Sequence, residues 1–277
     1  MTQTASSEIA NIRPLVRLVG AGPGAADLIT VRGAKALREA EVVLYDDLAN
    51  PELLELCGGE CEKVYVGKRA GAHSVNQGEI CTLLVAKAQT GRRVVRLKGG
   101  DPMFFGRTAE EIEALATAGI DFEIVPGVTA ASAAGASTGI PLTQRGVTSM
   151  TVFVAGHACA DRNGTPVDWR ALAGLKATLC IYMGTRRFSG IARELVDGGL
   201  SDATPVAVVA GATLSSQSLR FGTLASADEL LADLQGRPAM IIVGEVVRWS
   251  ELASAALDRT HEMRAAETNA GMMGCEI

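Results

Sequence analysis

At 277 residues the chain has room for two domains, and 48% hydrophobic with 21% charged residues is the make-up of a globular protein with a full core. A net charge of −5 excludes a general affinity for nucleic acid or an anionic membrane, and only 4% aromatic residues offer little platform for stacking single strands. Local basic clusters still leave room for an acidic small molecule.

The first residues, MTQTASSEIANIRP, lack the apolar core of a signal peptide, and no apolar run approaches the roughly 20 residues of a membrane span. Cys57, Cys61, Cys81, Cys159, Cys180 and Cys275 contain no CxxC, and Cys57 with Cys61 lacks the second ligand pair of a zinc site. The expectation is a soluble, cytoplasmic protein with reduced thiols and no metal.

Leu15 to Val19 reads as a strand entering Gly20-Ala21-Gly22-Pro23-Gly24, then a helix whose apolar face includes Leu28, Val31 and Leu37. A glycine loop between strand and helix is one way to bind a nucleotide. Pro23 intrudes and the third glycine comes early for GxGxxG, yet Asp46 or Asp47 follows the next strand, Val42 to Tyr45. On the residues alone an NAD(P)-dependent oxidoreductase is an open reading. Val64 to Val66 is a third strand, ending in Gly67-Lys68-Arg69. Asn76 followed by Glu79 opens a helix running to Ala88.

Val94 to Leu97 is a strand that breaks into Gly99-Gly100-Asp101-Pro102, with order resuming in an acid-rich helical turn after Arg107. Strand, glycine loop, helix is the layout of a ligand site at a strand's carboxyl end. Phe122 to Val125 is the next strand, and Val128 to Ala134 a helix of small residues. The stretch from Ile140 to Gly146 has no periodicity and marks a junction. Beyond it, Met150 to Ala155, Thr178 to Met183, Pro205 to Val209 and Ala239 to Val243 are strands, and Ser218 to Phe221 an antiparallel hairpin strand. A helix covers about Trp249 to Leu257, and the tail from Arg259 is polar. Gly20, Gly67, Gly99, Gly156, Gly184 and Gly244 each follow a strand. Together these elements predict two α/β domains, 15–140 and 147–250, with mostly parallel sheets facing a cleft, and a terminal segment over 251–277.

Several of these stretches resemble one family. Val19 to Gly24 with Leu28-Ile29-Thr30, Val95 to Pro102 with Phe105-Gly106-Arg107, and Val125 to Ala130 are similar, in order and spacing, to signatures of the tetrapyrrole (corrin/porphyrin) methylases. Tyr45-Asp46, Val66 to Arg69, Gly139 to Thr143, Thr151 to His157 and Tyr182-Met183-Gly184 are similar to its uroporphyrinogen-III C-methyltransferase branch. The resemblance runs from about residue 15 to 248. It implies a homodimer of two-domain subunits that binds S-adenosylmethionine between its domains and methylates uroporphyrinogen III at C2 and then C7, giving precorrin-2. By the family's pattern Pro23, Gly99, Gly100, Asp101, Phe104, Thr129, Ala130, Met183 and Ala212 would contact the cofactor. Asp46 matches the position of a proton acceptor and Lys68 that of a donor.

The substrate so implied carries eight carboxylates. Arginine meets a carboxylate with a planar fork, so Arg107 and Arg145, with Arg69 behind them, are the candidates for binding it. Glu110 lies one helical turn from Arg107 and is an alternative base or Arg107's orienting partner. Each residue has a plainer role open to it. Asp46 can end a strand, Lys68 and Arg69 can form a solvated turn, Glu110 can complement a helix N-terminus, and Met183 can be core.

Three positions depart from the pattern: Asp47 where arginine is frequent, Gln144 where histidine is frequent, and Ala212 where glycine is frequent. Asp47 must point away from a polyanion, or the substrate is a later precorrin or another acceptor.

Overall fold

The computed structural model describes residues 16–67, 76–157, 166–232, 234 and 237–253. Leu15, Lys68, Arg69 and the tail from Arg259 lie outside the described residues. The chain divides into two units, one reaching Thr129 and the other beginning at Ala130.

In the first unit β1 (Val16–Gly20), β2 (Val42–Tyr45), β3 (Glu62–Tyr65), β4 (Val94–Lys98) and β5 (Phe122–Val125) form one sheet in the order β3-β2-β4-β1-β5. Every pairing in it is parallel. The crossovers carry α1 (Val31–Glu39), α2 (Gln77–Gln89) and α3 (Thr108–Thr117). A parallel sheet covered on both faces needs apolar residues at both phases of its strands. Val19, Val43, Val95 and Leu97 pack with Leu37 of α1 and Leu53, while Val16, Leu18, Leu44 and Val94 pack with Leu84 of α2 and Leu115 of α3. Asn76 caps α2 through a reciprocal pair: its side chain accepts from Glu79 N at 3.0 Å, and its N–H donates to Glu79 Oε2 at 2.8 Å.

The first helix differs from its sequence expectation. Thr30 caps it by accepting from Gly33 N at 3.1 Å, so the helix starts at Val31, and Ala36 and Leu37 are the residues turned inward. Val31 is 89% exposed, and Leu28 belongs to a separate 3-10 turn, Ala26–Leu28.

The second unit opens with α4 (Ala130–Thr138). Its Ala131 and Ala134 pack with Cys180, Val209 and Ile242, which is why the division falls after Thr129 rather than at the junction expected over 140–146. Then follow β6 (Thr151–Ala155), α5 (Trp169–Ala173), β7 (Thr178–Tyr182), α6 (Phe188–Asp197), β8 (Pro205–Ala210), β9 (Ser218–Thr223), α7 (Ala227–Leu231) and β10 (Ala239–Val243). The sheet order is β6-β7-β10-β8-β9. Here only β6 and β7 pair in parallel; β10 runs antiparallel between β7 and β8, and β9 is a hairpin partner of β8. This sheet is therefore mixed, and Gly244 after β10 lies at the opposite end from Gly156 and Gly184. Its N–H donates to Pro205 O, at the start of β8. Phe188, Ile191 and Leu195 of α6 fill the other face with Trp169 and Leu230. The expected terminal helix begins at Ser250, after a 3-10 turn over Glu245–Trp249.

Candidate active site

In the first unit the loops after β1 and β4 are bonded backbone to backbone, and the loop after β5 lies close against them. Ala21 N donates to Lys98 O at 2.7 Å, and Gly22 and Gly100 exchange bonds of 3.2 and 2.6 Å. The approach requires glycine. A Cβ on Gly20 would lie 2.6 Å from Gly127 Cα and 2.7 Å from Gly100 O, and Gly100 has φ +68°. Asp101 clamps the loops: one carboxylate oxygen accepts from Met103 N at 2.8 Å and the other from Gly127 N at 3.0 Å. Its carboxylate is thus engaged within the protein. Beyond the clamp Met103, Phe104 and Phe105 present exposed apolar faces, while Pro23 is half-buried. Phe105 and Arg107 have φ of 54° and 53°, a strained conformation that larger residues seldom adopt.

Asp46 stands just past β2 at the same sheet edge, its side chain 24% exposed. Oδ1 accepts from Leu48 N at 3.1 Å and Oδ2 from Arg96 Nη2 at 2.8 Å. Behind Arg96 lie Glu111, which is 0% exposed, and Lys98, whose Nζ donates to Glu111 Oε2 at 2.8 Å. Burial pushes the Lys98 ammonium below the usual lysine range, against the pull of the Glu111 charge. Asp47 turns to Tyr65, whose hydroxyl donates to it, so the two neighbouring acids are sent to different partners.

Arg107 and Glu110 form a bidentate pair, Nε to Oε1 at 2.7 Å and Nη2 to Oε2 at 2.8 Å, in the open first turn of α3. Glu110 is thereby paired with Arg107 at both oxygens.

The second unit places its candidates at the matching ends of β7 and β8. Met183 follows β7 with φ 54° and is half exposed, not core. Ala212 follows β8 and is buried in the cluster that holds α4. Ala131 N, one residue past Ala130, donates to the Tyr182 hydroxyl at 3.2 Å, tying the start of α4 to the end of β7. Thr129 is buried. Arg145 lies exposed in the loop 143–149, where Gln144 N donates to Thr148 O at 2.9 Å.

Residues 16–228 match the family described as Tetrapyrrole (Corrin/Porphyrin) Methylases. The chain belongs to this family. Among relatives, siroheme synthase 1 of Yersinia enterocolitica is 52% identical over 84% of this chain and 48% of its own length. The corresponding protein of Pectobacterium atrosepticum is 49% identical over the same shares. The chain thus spans about half the length of the curated relatives it matches. Among solved structures, a cobalt precorrin-4 methyltransferase superposes with a TM-score of 0.75 at 31% identity, over 84% of this chain and 95% of that one. The uroporphyrin-III C-methyl transferase of Thermus thermophilus, complexed with S-adenyl homocysteine, superposes with a TM-score of 0.71 at 40% identity, over 84% of this chain and 93% of that one.

For a methylase the arrangement in the first unit is chemically coherent. A loop edge walled by backbone suits a ligand held by main-chain groups, and the carboxylate beside it is fixed at both oxygens. Sequence reasoning passed over Arg96, Lys98 and Glu111. One signal for them was present: two charges at alternate positions of an otherwise apolar strand, followed by an acid in the first turn of the next helix.

Proposed function

We propose that the chain is an S-adenosylmethionine-dependent C-methyltransferase that converts uroporphyrinogen III to precorrin-2 by methylating C2 and then C7. The observation that carries this reading is the 40% identity to the Thermus uroporphyrin-III C-methyl transferase across 93% of that chain. The glycine-walled loops fit the cofactor. Backbone groups and the exposed faces of Met103 and Phe104 suit an adenosyl group. Pro23, Gly99, Gly100, Asp101, Phe104, Thr129, Ala130, Met183 and Ala212 are the residues proposed to hold it, Asp101 acting through the loops it clamps. When bound, S-adenosylmethionine supplies a methyl group already activated by its sulfonium.

The chain's own task is then to orient the tetrapyrrole and manage its protons. Arg107, held in fork geometry by Glu110, is proposed to bind a substrate carboxylate, with Arg145 and Arg69 meeting others. Asp46 is proposed to accept the ring proton released once the new carbon–carbon bond has formed, and Lys68 to return one. A cytoplasmic homodimer is the proposed working form. Among the described residues no helix is long and apolar enough to cross a membrane.

The test is an anaerobic incubation with S-adenosylmethionine and uroporphyrinogen III, followed by mass analysis. A gain of two methyl groups is expected. No gain, from protein that binds S-adenosylhomocysteine, moves the substrate to a later precorrin or another acceptor.

A further inference from the structure

We propose that Arg96, Lys98 and Glu111 form a buried positioning cluster that holds the Asp46 carboxylate for proton transfer, with Glu111 setting the pose of Arg96. The proposal rests on the reading of Asp46 as proton acceptor.

The cluster follows from strand geometry. Side chains alternate along β4, so Val95 and Leu97 face α1 while Val94, Arg96 and Lys98 face α2 and α3. Two cations are thereby placed inside a covered face, with Arg96 4% exposed. Glu111 enters from α3 and accepts from Arg96 Nε at 3.1 Å and from Lys98 Nζ at 2.8 Å. From α2, Gln77 Nε2 donates to Glu111 at 3.4 Å, and the nearby Cys81 thiol is pushed up by burial first and the Glu111 charge second. From β2, the Leu44 carbonyl receives Arg96 Nη1 at 3.5 Å, and Leu97 O receives it at 2.8 Å. Every face of the guanidinium edge is therefore assigned, and its remaining nitrogen, Nη2, reaches Asp46 Oδ2.

Stability does not account for this choice of residues. Burying ions costs desolvation, and apolar residues of like volume often serve as well or better in such a place. What apolar residues cannot do is carry a fixed hydrogen-bond donor from the core to a carboxylate at the loop edge. Arg96 does so, and Glu111 and Lys98 keep its charge balanced: with Asp46 the cluster has two cations and two anions. Leu48 N fixes the other Asp46 oxygen. A proton acceptor gains from such pre-set aim because the ring carbon must be met at one place. Glu111 is buried, accepts from Arg96, Lys98 and Gln77, and would reach Asp46 through Arg96.

Steady-state kinetics of the full chain with uroporphyrinogen III, together with calorimetry of S-adenosylhomocysteine, test the proposal. Glu111→Gln, which cannot accept from both cations, is expected to lower kcat at least tenfold, with KM within threefold and cofactor affinity within twofold of the wild type. Arg96→Lys keeps the charge but loses the fork, and the same split is expected. In an Asp46→Asn background either substitution should lower kcat by less than a further twofold, because the group it aims is gone. Full single-variant losses recurring in that background overturn the proposal, as does an Arg96→Lys enzyme with wild-type kcat. If Glu111→Gln does not fold, Lys98→Met with Glu111→Gln removes one charge of each sign and carries the same expectations. An Asp46→Asn enzyme as active as the wild type overturns the reading of Asp46 along with the cluster. An inactive Asp46→Asn beside a fully active Arg96→Lys overturns the cluster alone.

Discussion

Arg107 shows what one residue can be asked to do. Its side chain is open to solvent, already paired in fork geometry with Glu110, and carried on a strained backbone with φ 53°. A charge-assisted bond from Arg107 to a substrate carboxylate in the site would be worth roughly 1.5–3 kcal/mol. Arg107→Ala is therefore expected to lower kcat/KM for the tetrapyrrole by about 10- to 100-fold while calorimetry shows unchanged affinity for S-adenosylhomocysteine. Collapse of cofactor affinity instead would reassign Arg107. Gly100 makes the complementary case. At φ +68°, bonded to Gly22, it has no tolerance for a branched side chain, and Gly100→Val should weaken S-adenosylhomocysteine binding at least tenfold. Normal affinity would remove this loop from the cofactor. Arg107 and Glu110 were readable together because helical spacing brings residues three apart to one face. Asp47 was readable only as a conflict, since nothing in the sequence pairs it with Tyr65, 18 positions away.

At the scale of elements, the strands were readable wherever an apolar run met a turn. β2, β5 and β10 fall where the pattern puts them. Direction was not readable. β10 is apolar on both faces and says nothing of which way it runs, so Gly244 was grouped with glycines from which the antiparallel pairing separates it. The boundary after Thr129 was also hidden, because a helix of small residues carries no mark of which sheet it will pack on.

β3 supports a pH prediction at this scale. Glu62 at its start binds Lys87 at the end of α2 and Arg92 just before β4, and these two bonds hold its carboxyl below the usual range. A depressed carboxylate adds stability that is present above its unfolded pKa and lost as pH falls through its folded one. The denaturant midpoint of Glu62→Gln should therefore lie below wild type at pH 7 and converge with it in acid. With solvent reaching all three side chains the difference at pH 7 should be at most about 1 kcal/mol. A gap that persists unchanged in strong acid would contradict the assignment.

At the scale of the whole molecule the chain folds as two units. Of the residues proposed for the site, Asp46, Asp101 and Arg107 lie in the first and Met183, Ala212 and Arg145 in the second. Each has its own core, and a probe of the second is available in Cys180. Burial pushes its thiol up to about 12, so it should resist alkylation at pH 8 until the second unit unfolds. Rapid labelling of Cys180 in native protein would contradict the packing of α4 on that sheet.

The most direct test of the site as a whole is an anaerobic time course of methyl gain by uroporphyrinogen III, run with wild-type chain and with Asp46→Asn. The expected result is one methyl group, then two, for the wild type. For the variant, product should form at least 100-fold more slowly although S-adenosylhomocysteine still binds. Equal time courses would contradict the central claim, that proton transfer in this methylase runs through the carboxylate that Arg96 holds.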